Sequence, residues 1–388
     1  MVSAVFDNKV LSDTPLGLYC HVPFCVDTCD FCAFYQQKPR RNDISRFLDG
    51  IERELALSPP TRPASTFFWG GGTPGILKPD ALRRLGTAFL TANKGVLPVE
   101  WSVEMSPATV SLARLDALRE IGVTRISLGV QSFDEETLSA LGRRHTPRQI
   151  RQAWEWIRAA GFRDVSMDLI FAVPGQEETR WSTDLAEAVR LGPDHISTYC
   201  LTFEEDTALY VKLSKGRVNV DSEREAAMYR RTWAFLEAQG YGQYEISNFA
   251  RSGHACIHNV NTWRMAEWQG YGPAAASQVG GRRFQNPANL DAWLRGIDLG
   301  DLVHEQVVTL SPPLLLADAI IFGLRMNEGV DLDTLGQRFG AAVPVALRAL
   351  GENLNKEGLI FAENGRWKAS LEGRLRADAI GAAVLECF

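Results

Sequence analysis

Residues 16–32 read Leu16-Gly-Leu-Tyr-Cys20-His-Val22-Pro-Phe-Cys25-Val-Asp-Thr-Cys29-Asp-Phe-Cys32. The first seven form a β-rich run. Three cysteines follow it directly, in CxxxCxxC spacing. Iron–sulfur clusters are held by thiolates, usually four for a four-iron cluster. Three thiolates in one loop leave one iron without a protein ligand, and a chelating small molecule needs that open position. Structural zinc is the alternative reading, with Cys20 or His21 completing a closed set of four ligands. Cys20 falls inside the run itself, and the paired CxxC knuckle is missing. The cluster reading is preferred once the rest of the chain is counted.

Working outward, β-rich runs at 16–22, 65–69, 100–105, 124–130, 164–171 and 195–201 alternate with helical stretches. The helices fall at 44–57, 79–92, 110–121, 147–160 and 177–191, with apolar residues spaced by three and four. Alternating βα units predict an α/β fold with a parallel sheet and right-handed crossovers. Six units are too few for an eight-unit TIM barrel. They suit an open (βα)6 partial barrel, with a doubly wound sheet as the alternative. Another helix is expected over 222–239, and 240–289 reads as loops and short strands covering the open edge. Ser311-Pro312-Pro313 reads as a linker. Beyond it, helices near 314–325, 331–339 and 344–356, a hairpin through 360–367 and a last helix suggest a small winged-helix-like module. The expected division is 1–221, 222–310 and 311–388.

Composition narrows the function classes. Of 388 residues, 45% are hydrophobic and 23% charged, values of a folded globular chain. Lys plus Arg number 41 against 47 Asp plus Glu, a net charge of −6 that argues against a nucleic-acid partner. The C-terminal module shows no basic recognition helix, so a DNA-binding regulator is disfavoured. Seven cysteines, four of them within residues 20–32, do not look like a disulfide framework. Reduced thiols favour a cytoplasmic setting. Asp7 and Lys9 interrupt the N-terminus, so no secretory signal is read there, and no apolar run is long enough for a membrane span.

The other strand ends carry polar chemistry. The second run leads into Trp69-Gly-Gly71-Gly72-Thr73-Pro74, where glycines let backbone approach a ligand. The third ends near Glu104. The fourth places Gln131 after an apolar strand, and Arg143 follows. The fifth holds Asp168 between Met167 and Leu169. Each alone is an ordinary core polar residue. Together they map to the C-terminal ends of successive strands, where parallel barrels build their sites. A cleft joining Cys25, Cys29, Cys32, Gly71, Glu104, Gln131, Arg143 and Asp168 suits a polar, zwitterionic ligand beside the cluster.

The cysteine motif resembles that of the radical S-adenosylmethionine (SAM) superfamily. The likeness is greatest to the branch containing oxygen-independent coproporphyrinogen III oxidase and a radical-SAM haem chaperone. It continues through Trp69–Pro74, Gly129-Val-Gln-Ser132, Asp168-Leu-Ile-Phe-Ala-Val-Pro-Gly-Gln176, His195-Ile-Ser-Thr-Tyr199 and Tyr244-Glu-Ile-Ser-Asn-Phe-Ala250. The resemblance implies a [4Fe-4S] cluster on Cys25, Cys29 and Cys32. It implies SAM contacts at Tyr19, Phe31, Gly71, Gly72, Thr73, Glu104, Gln131, Arg143 and Asp168. The carboxylates suit the amine and ribose hydroxyls, and Arg143 suits a carboxylate.

Two features resemble the chaperone more than the oxidase. No oxidase-like N-terminal extension precedes the cluster motif, and Phe34 stands where the oxidase has a further cysteine. Cys256-Ile-His258-Asn259-Val-Asn-Thr262-Trp263 resembles the chaperone's HNxxYW signature, making His258 the candidate haem ligand. Thr262 replaces the signature tyrosine. In Gly270-Tyr-Gly-Pro-Ala274-Ala-Ala276-Ser277, alanines replace a glycine and a histidine of the family's GxGPGAHS segment. His21 is expected to be structural. The implied partners are haem or porphyrin, haem-acceptor proteins, and an electron donor such as flavodoxin or ferredoxin. Whether the chain is an enzyme stays open. The alternative to haem carriage is coproporphyrinogen III decarboxylation, or a related methyl transfer or haem modification.

Overall fold

A computed structural model describes residues 14–388; the reading around Asp7 and Lys9 lies outside them. The barrel units run β1 (Leu16–Val22), α1 (Asp43–Leu57), β2 (Thr66–Gly71), α2 (Pro79–Ala92), β3 (Glu100–Met105), α3 (Leu112–Glu120), β4 (Arg125–Gln131), α4 (Glu135–Ala140), α5 (Pro147–Ala160), β5 (Asp164–Phe171), α6 (Glu178–Leu191) and β6 (His195–Cys200). These six strands are parallel and adjacent in chain order. Alternation decides their faces. Leu18, Cys20, Phe67, Trp69, Trp101, Val103, Ile126, Leu128, Val165 and Met167 are fully buried and belong to one core cluster with the helices. The opposite parity, including Tyr19, Glu104, Ser127, Ser166, Asp168 and Ser197, lines the barrel interior.

The sheet is open and extends beyond the barrel at both ends. After α7 (Ala208–Ser214) and α8 (Ser222–Ala238), β7 (Gly242–Gln243) and β8 (Asn248–Ala250) form a hairpin, with β8 antiparallel to β6 and β7 at the edge. Following α9 (Ile257–Trp263), β9 (Glu267–Tyr271) joins β1 in parallel. Next come β10 (Ala276–Val279), β11 (Arg282–Gln285), α10 (Leu290–Leu299) and β12 (Glu305–Thr309). The segment read as covering one edge therefore divides between the two edges of a 12-stranded sheet.

Ser311-Pro312-Pro313 is not a linker. It starts α11 (Pro312–Arg325): the Ser311 hydroxyl accepts the Leu314 N–H, and Pro312 occupies the first helical turn, where its missing N–H costs nothing. The chain continues through β13 (Val330–Asp331), α12 (Leu332–Phe339), α13 (Val345–Lys356), β14 (Ile360–Glu363), β15 (Arg366–Ala369), α14 (Leu371–Arg374) and α15 (Ala377–Leu385). Its three strands form a separate sheet in the order β13-β15-β14, over a core of its own around Leu316, Ile320, Leu347 and Trp367. Helices packed on such a sheet give the winged-helix-like arrangement.

The substituted segment 270–277 has a measurable consequence. Ala274 has φ +62°, a left-handed conformation that a Cβ disfavours. Ala274→Gly is expected to stabilise the fold by roughly 0.5–1 kcal/mol, the relief of strain exceeding the extra entropy of the unfolded chain. The midpoint of urea denaturation checks this, and an unchanged or lowered midpoint contradicts it.

Candidate functional site

The cysteine loop hangs from the C-terminal end of β1 and is tied down on every side. Cys25 N–H bonds Gln37 O at 3.1 Å, Asp30 N–H bonds Leu141 O at 3.1 Å, and Leu209 N–H bonds Asp30 O at 2.9 Å. Lys212 pairs with Asp30 at 2.8 Å. The glycine stretch after β2 lies directly on this loop: Gly72 N–H bonds Val22 O at 2.9 Å and Thr73 N–H bonds Phe24 O at 2.8 Å. Thr73 Oγ1 lies 3.4 Å from Cys25 Sγ. Gly71 has φ +95°, and a Cβ there would fall 2.5 Å from the His21 ring. A Cβ on Gly72 would stand 2.7 Å from two carbonyl oxygens. Glycine is needed at both, by conformation at the first and by close approach at the second.

The remaining residues close around this loop. Arg143 lies over the Phe31 ring, 5.7 Å from its centre. Gln131 has φ +68° at a register shift between β4 and β5. Such a bulge re-aims a side chain at the end of a strand. The Gln131 amide turns back over Gly129, with Arg143 beside it. Asp168 accepts from the hydroxyls of Ser127 and Ser197 at 2.8 Å each and of Ser166 at 3.3 Å.

The electrostatics suit a cationic ligand. Burial, then the nearby Asp168 charge, push Glu104 up to about 8, against the lowering effect of the Gly71 N–H. Burial also raises Asp168, with the serine hydroxyls and Arg125 opposing it. Two crowded carboxyls each held up in this way are relieved by an incoming ammonium. Burial raises the thiols of Cys25, Cys29 and Cys32, while Arg143 lowers all three.

The donor set fits an iron–sulfur cluster and SAM. Three soft thiols share one loop, Arg143 Nε is buried with no partner among the described residues, and the missing Cβ of Gly70 lets the Glu104 carboxylate lie against the end of β2, where a Cβ would stand 2.7 Å from it. No three His, Cys, Asp or Glu side chains among the described residues are already gathered around one point, so the thiols must turn inward to share a metal. Cys20 cannot join them. It is fully buried on the helix-facing side of β1, near Glu54 of α1. His21 is structural, with Nε2 held 2.8 Å from Tyr35 O and Nδ1 3.1 Å from the Tyr19 hydroxyl.

The structure thus brings Tyr19, Phe31, Gly71, Gly72, Thr73, Glu104, Gln131, Arg143 and Asp168 together with the cysteines. His258 is elsewhere. It is buried at the N-terminal end of the strands, its Nδ1 2.9 Å from Thr66 Oγ1 and its ring 5.3 Å from that of Phe68. Roughly 17 Å of β1 separates this level from the cysteine loop. Glu100 places it there by accepting the N–H groups of Ile257 and His258 at 3.0 and 2.9 Å. Burial lowers His258 to about 4, so the imidazole is neutral. Thr262, the substituted signature position, bonds its hydroxyl to His258 O at 3.0 Å.

Sequence reasoning missed Tyr199 and the three serines around Asp168. Tyr199, next to last in β6, is 42% exposed; its phenol is raised by partial desolvation against the strand ends and then by the Asp168 charge. A sequence signal existed: Ser127, Ser166 and Ser197 occur in three strands at the parity that faces the interior.

Residues 19–187 match the radical SAM superfamily and residues 310–376 match the HemN C-terminal domain. That is the class of protein which the open barrel and its cysteine–glycine face define. The heme chaperone HemW of Synechocystis is 32% identical over 357 residues, covering 87% of this chain and 85% of that protein. HemW of Mycobacterium tuberculosis is 32% identical over 383 residues, covering 96% and 95%. The fold matches coproporphyrinogen III oxidase (HemN) from Escherichia coli with a TM-score of 0.82 at 23% identity, over 99% of this chain and 93% of that one. The chain belongs to the radical SAM superfamily, in its HemW-like branch.

Proposed function

We propose that this chain is a haem chaperone which binds a [4Fe-4S] cluster and SAM and passes haem to acceptor proteins. The observation that carries the reading is near-full-length similarity to HemW proteins, and the thiols and polar residues gathered at the C-terminal strand ends support it. Cys25, Cys29 and Cys32 would hold the cluster, and the nine residues from Tyr19 to Asp168 would hold SAM. When bound, these groups supply one-electron chemistry. The chain's own part is to orient the cofactor and shield it from water. An acidic, low-potential electron carrier is the expected donor, and a cytoplasmic setting suits reduced thiols. Among the described residues no helix is long and apolar enough to cross a membrane.

His258 is the proposed axial ligand, since a neutral imidazole binds haem iron. With the ring buried under α9, ligation requires that helix to move outward. Haem titration followed by the Soret band tests this: His258→Ala should weaken binding at least tenfold, by about 1.4 kcal/mol or more. Wild-type protein that binds no haem would remove the chaperone reading. The same group of thiols and polar residues favours a second reading, oxidative decarboxylation of coproporphyrinogen III or a related radical reaction. Anaerobic incubation with SAM, reductant and coproporphyrinogen III decides it, and SAM cleavage without vinyl product counts against it.

A further inference from the structure

Two sequence motifs, 195–199 and 244–250, have no assigned part in the cofactor face, yet the fold joins them inside the barrel. Parallel register sets Ser127 level with Ser166, and Ser166 level with His195. Gly129, Asp168 and Ser197 form the next row toward the site. Behind Ser166 a chain of hydrogen bonds continues away from the site. Ser166 Oγ lies 2.8 Å from His195 Nδ1, and His195 Nε2 lies 2.8 Å from the Tyr244 hydroxyl. Tyr244 comes from the hairpin joining β7 and β8, which extends the sheet past β6.

Read from Asp168, these bonds take one consistent set of directions. A carboxylate only accepts, so Ser166 directs its proton to Asp168. Its oxygen then accepts from His195, which places the imidazole proton on Nδ1. That leaves Nε2 as an acceptor, and Tyr244 donates to it. A neutral imidazole has one donor and one acceptor nitrogen. Burial, then the positive charge of Arg125, hold His195 well below its ordinary range and keep it neutral.

We propose that Tyr244, His195 and Ser166 form a one-way hydrogen-bond relay that holds Asp168 as an anionic acceptor for the ribose hydroxyls of SAM. This rests on the reading of Asp168 as a SAM contact. The three are positioning residues: none touches the cofactor. Removing the Tyr244 hydroxyl frees His195 to carry its proton on Nε2. Ser166 then donates to Nδ1, and Asp168 loses one of three hydroxyl donors. The charged and titratable groups that also face Asp168 are Glu104 from β3, Arg125 from β4 and Tyr199 from β6. With their charges unchanged, a lost donor makes the carboxyl easier to protonate.

The test is a calorimetric titration of reconstituted protein with SAM between about pH 6 and 9, comparing wild type, Tyr244→Phe and Ser197→Ala. Tyr244→Phe keeps the ring and removes only the hydroxyl. The acid limb of SAM binding should move to higher pH in both variants. Affinity at the acid end of the range should fall roughly three- to tenfold and recover toward the alkaline end. Glu104 titrates in the same window in all three proteins, so the displacement between curves is what is read. An unchanged curve for Tyr244→Phe, or an equal loss at every pH, would overturn the relay. Nitrogen-15 spectra of labelled histidine, with His195 assigned by His195→Gln, give an independent reading. Wild type should show the Nδ1–H tautomer, and Tyr244→Phe a mixture. An Nε2–H tautomer in wild type overturns the relay whether or not SAM binds. Failure of wild type to bind SAM overturns the cofactor reading instead, and the tautomer measurement still judges the relay.

Discussion

Arg125→Met is expected to destabilise the protein by about 3–5 kcal/mol, the cost of stranding buried charge. The Arg125 guanidinium is 2% exposed, 3.1 Å from Glu100, 0% exposed, and 3.8 Å from Asp164, 2% exposed. It also donates to the carbonyls of His254 and Ala255 at 2.9 and 3.2 Å, pinning the segment that leads into α9. Methionine fills the space and supplies neither the charge nor these bonds. Replacing Glu100 by Gln in the same protein should recover part of the loss, because one of the stranded charges goes with it.

The sign of the pH dependence follows from Asp164. Burial raises its carboxyl, but Arg125, then Arg163 and His254, outweigh burial and hold it below the ordinary range. In wild type this group contributes stability above the unfolded carboxylate value, about pH 4, and the contribution is lost as pH falls through its folded value. Without Arg125, burial is less opposed and the folded value rises. The deficit against wild type is then fully present at pH 7 and should shrink as pH falls through the variant's folded value. Urea denaturation at pH 7 and at about pH 4 checks it. An equal deficit at both would assign the loss to packing rather than to charge.

How legible this fold was depends on where each element finds its partners. The strands Glu100–Met105 and Asp164–Phe171 and the helices Pro79–Ala92 and Pro147–Ala160 agree with the sequence reading to the residue. The last of these carries its own boundary signals: a Thr146–Gln149 capping box, Pro147 in the first turn and Gly161 in the left-handed cap. The helix Ile257–Trp263 was not legible, because its first N–H groups are satisfied by Glu100, far away in the chain. Ser311-Pro-Pro was misread because a helix start and a loop use the same residues. At the site, glycine and charged residues at strand ends stood out. Serines at interior positions did not, since a strand serine equally suits an exposed face. The distance of His258 from the cysteines is a matter of which end of the barrel a loop closes, and no spacing in the sequence encodes it.

Cys29→Ala is expected to abolish the iron–sulfur chromophore. After anaerobic reconstitution, iron and labile sulfide should fall at least about tenfold below wild type, because two thiolates leave the cluster short of protein ligands. Cys25→Ala and Cys32→Ala should behave alike, since each supplies one of only three thiols on the loop. Cys20→Ala should load normally. Its side chain points to the helix-facing side of β1, where neighbouring Tyr19 and His21 point to the other, and it pairs across the sheet with Trp69 in the core. Turning Cys20 toward the loop would shift β1 by one residue and expose the whole apolar row to the interior. Cys256→Ala should also load, because its thiol lies with Glu100 at the other end of the barrel. The comparison separates cluster from zinc. A closed zinc site needs a fourth ligand, and a Cys20 variant that lost its metal would reveal one. Retention of the brown colour by Cys20→Ala, with its loss from each of the three loop variants, leaves the fourth iron position open to SAM.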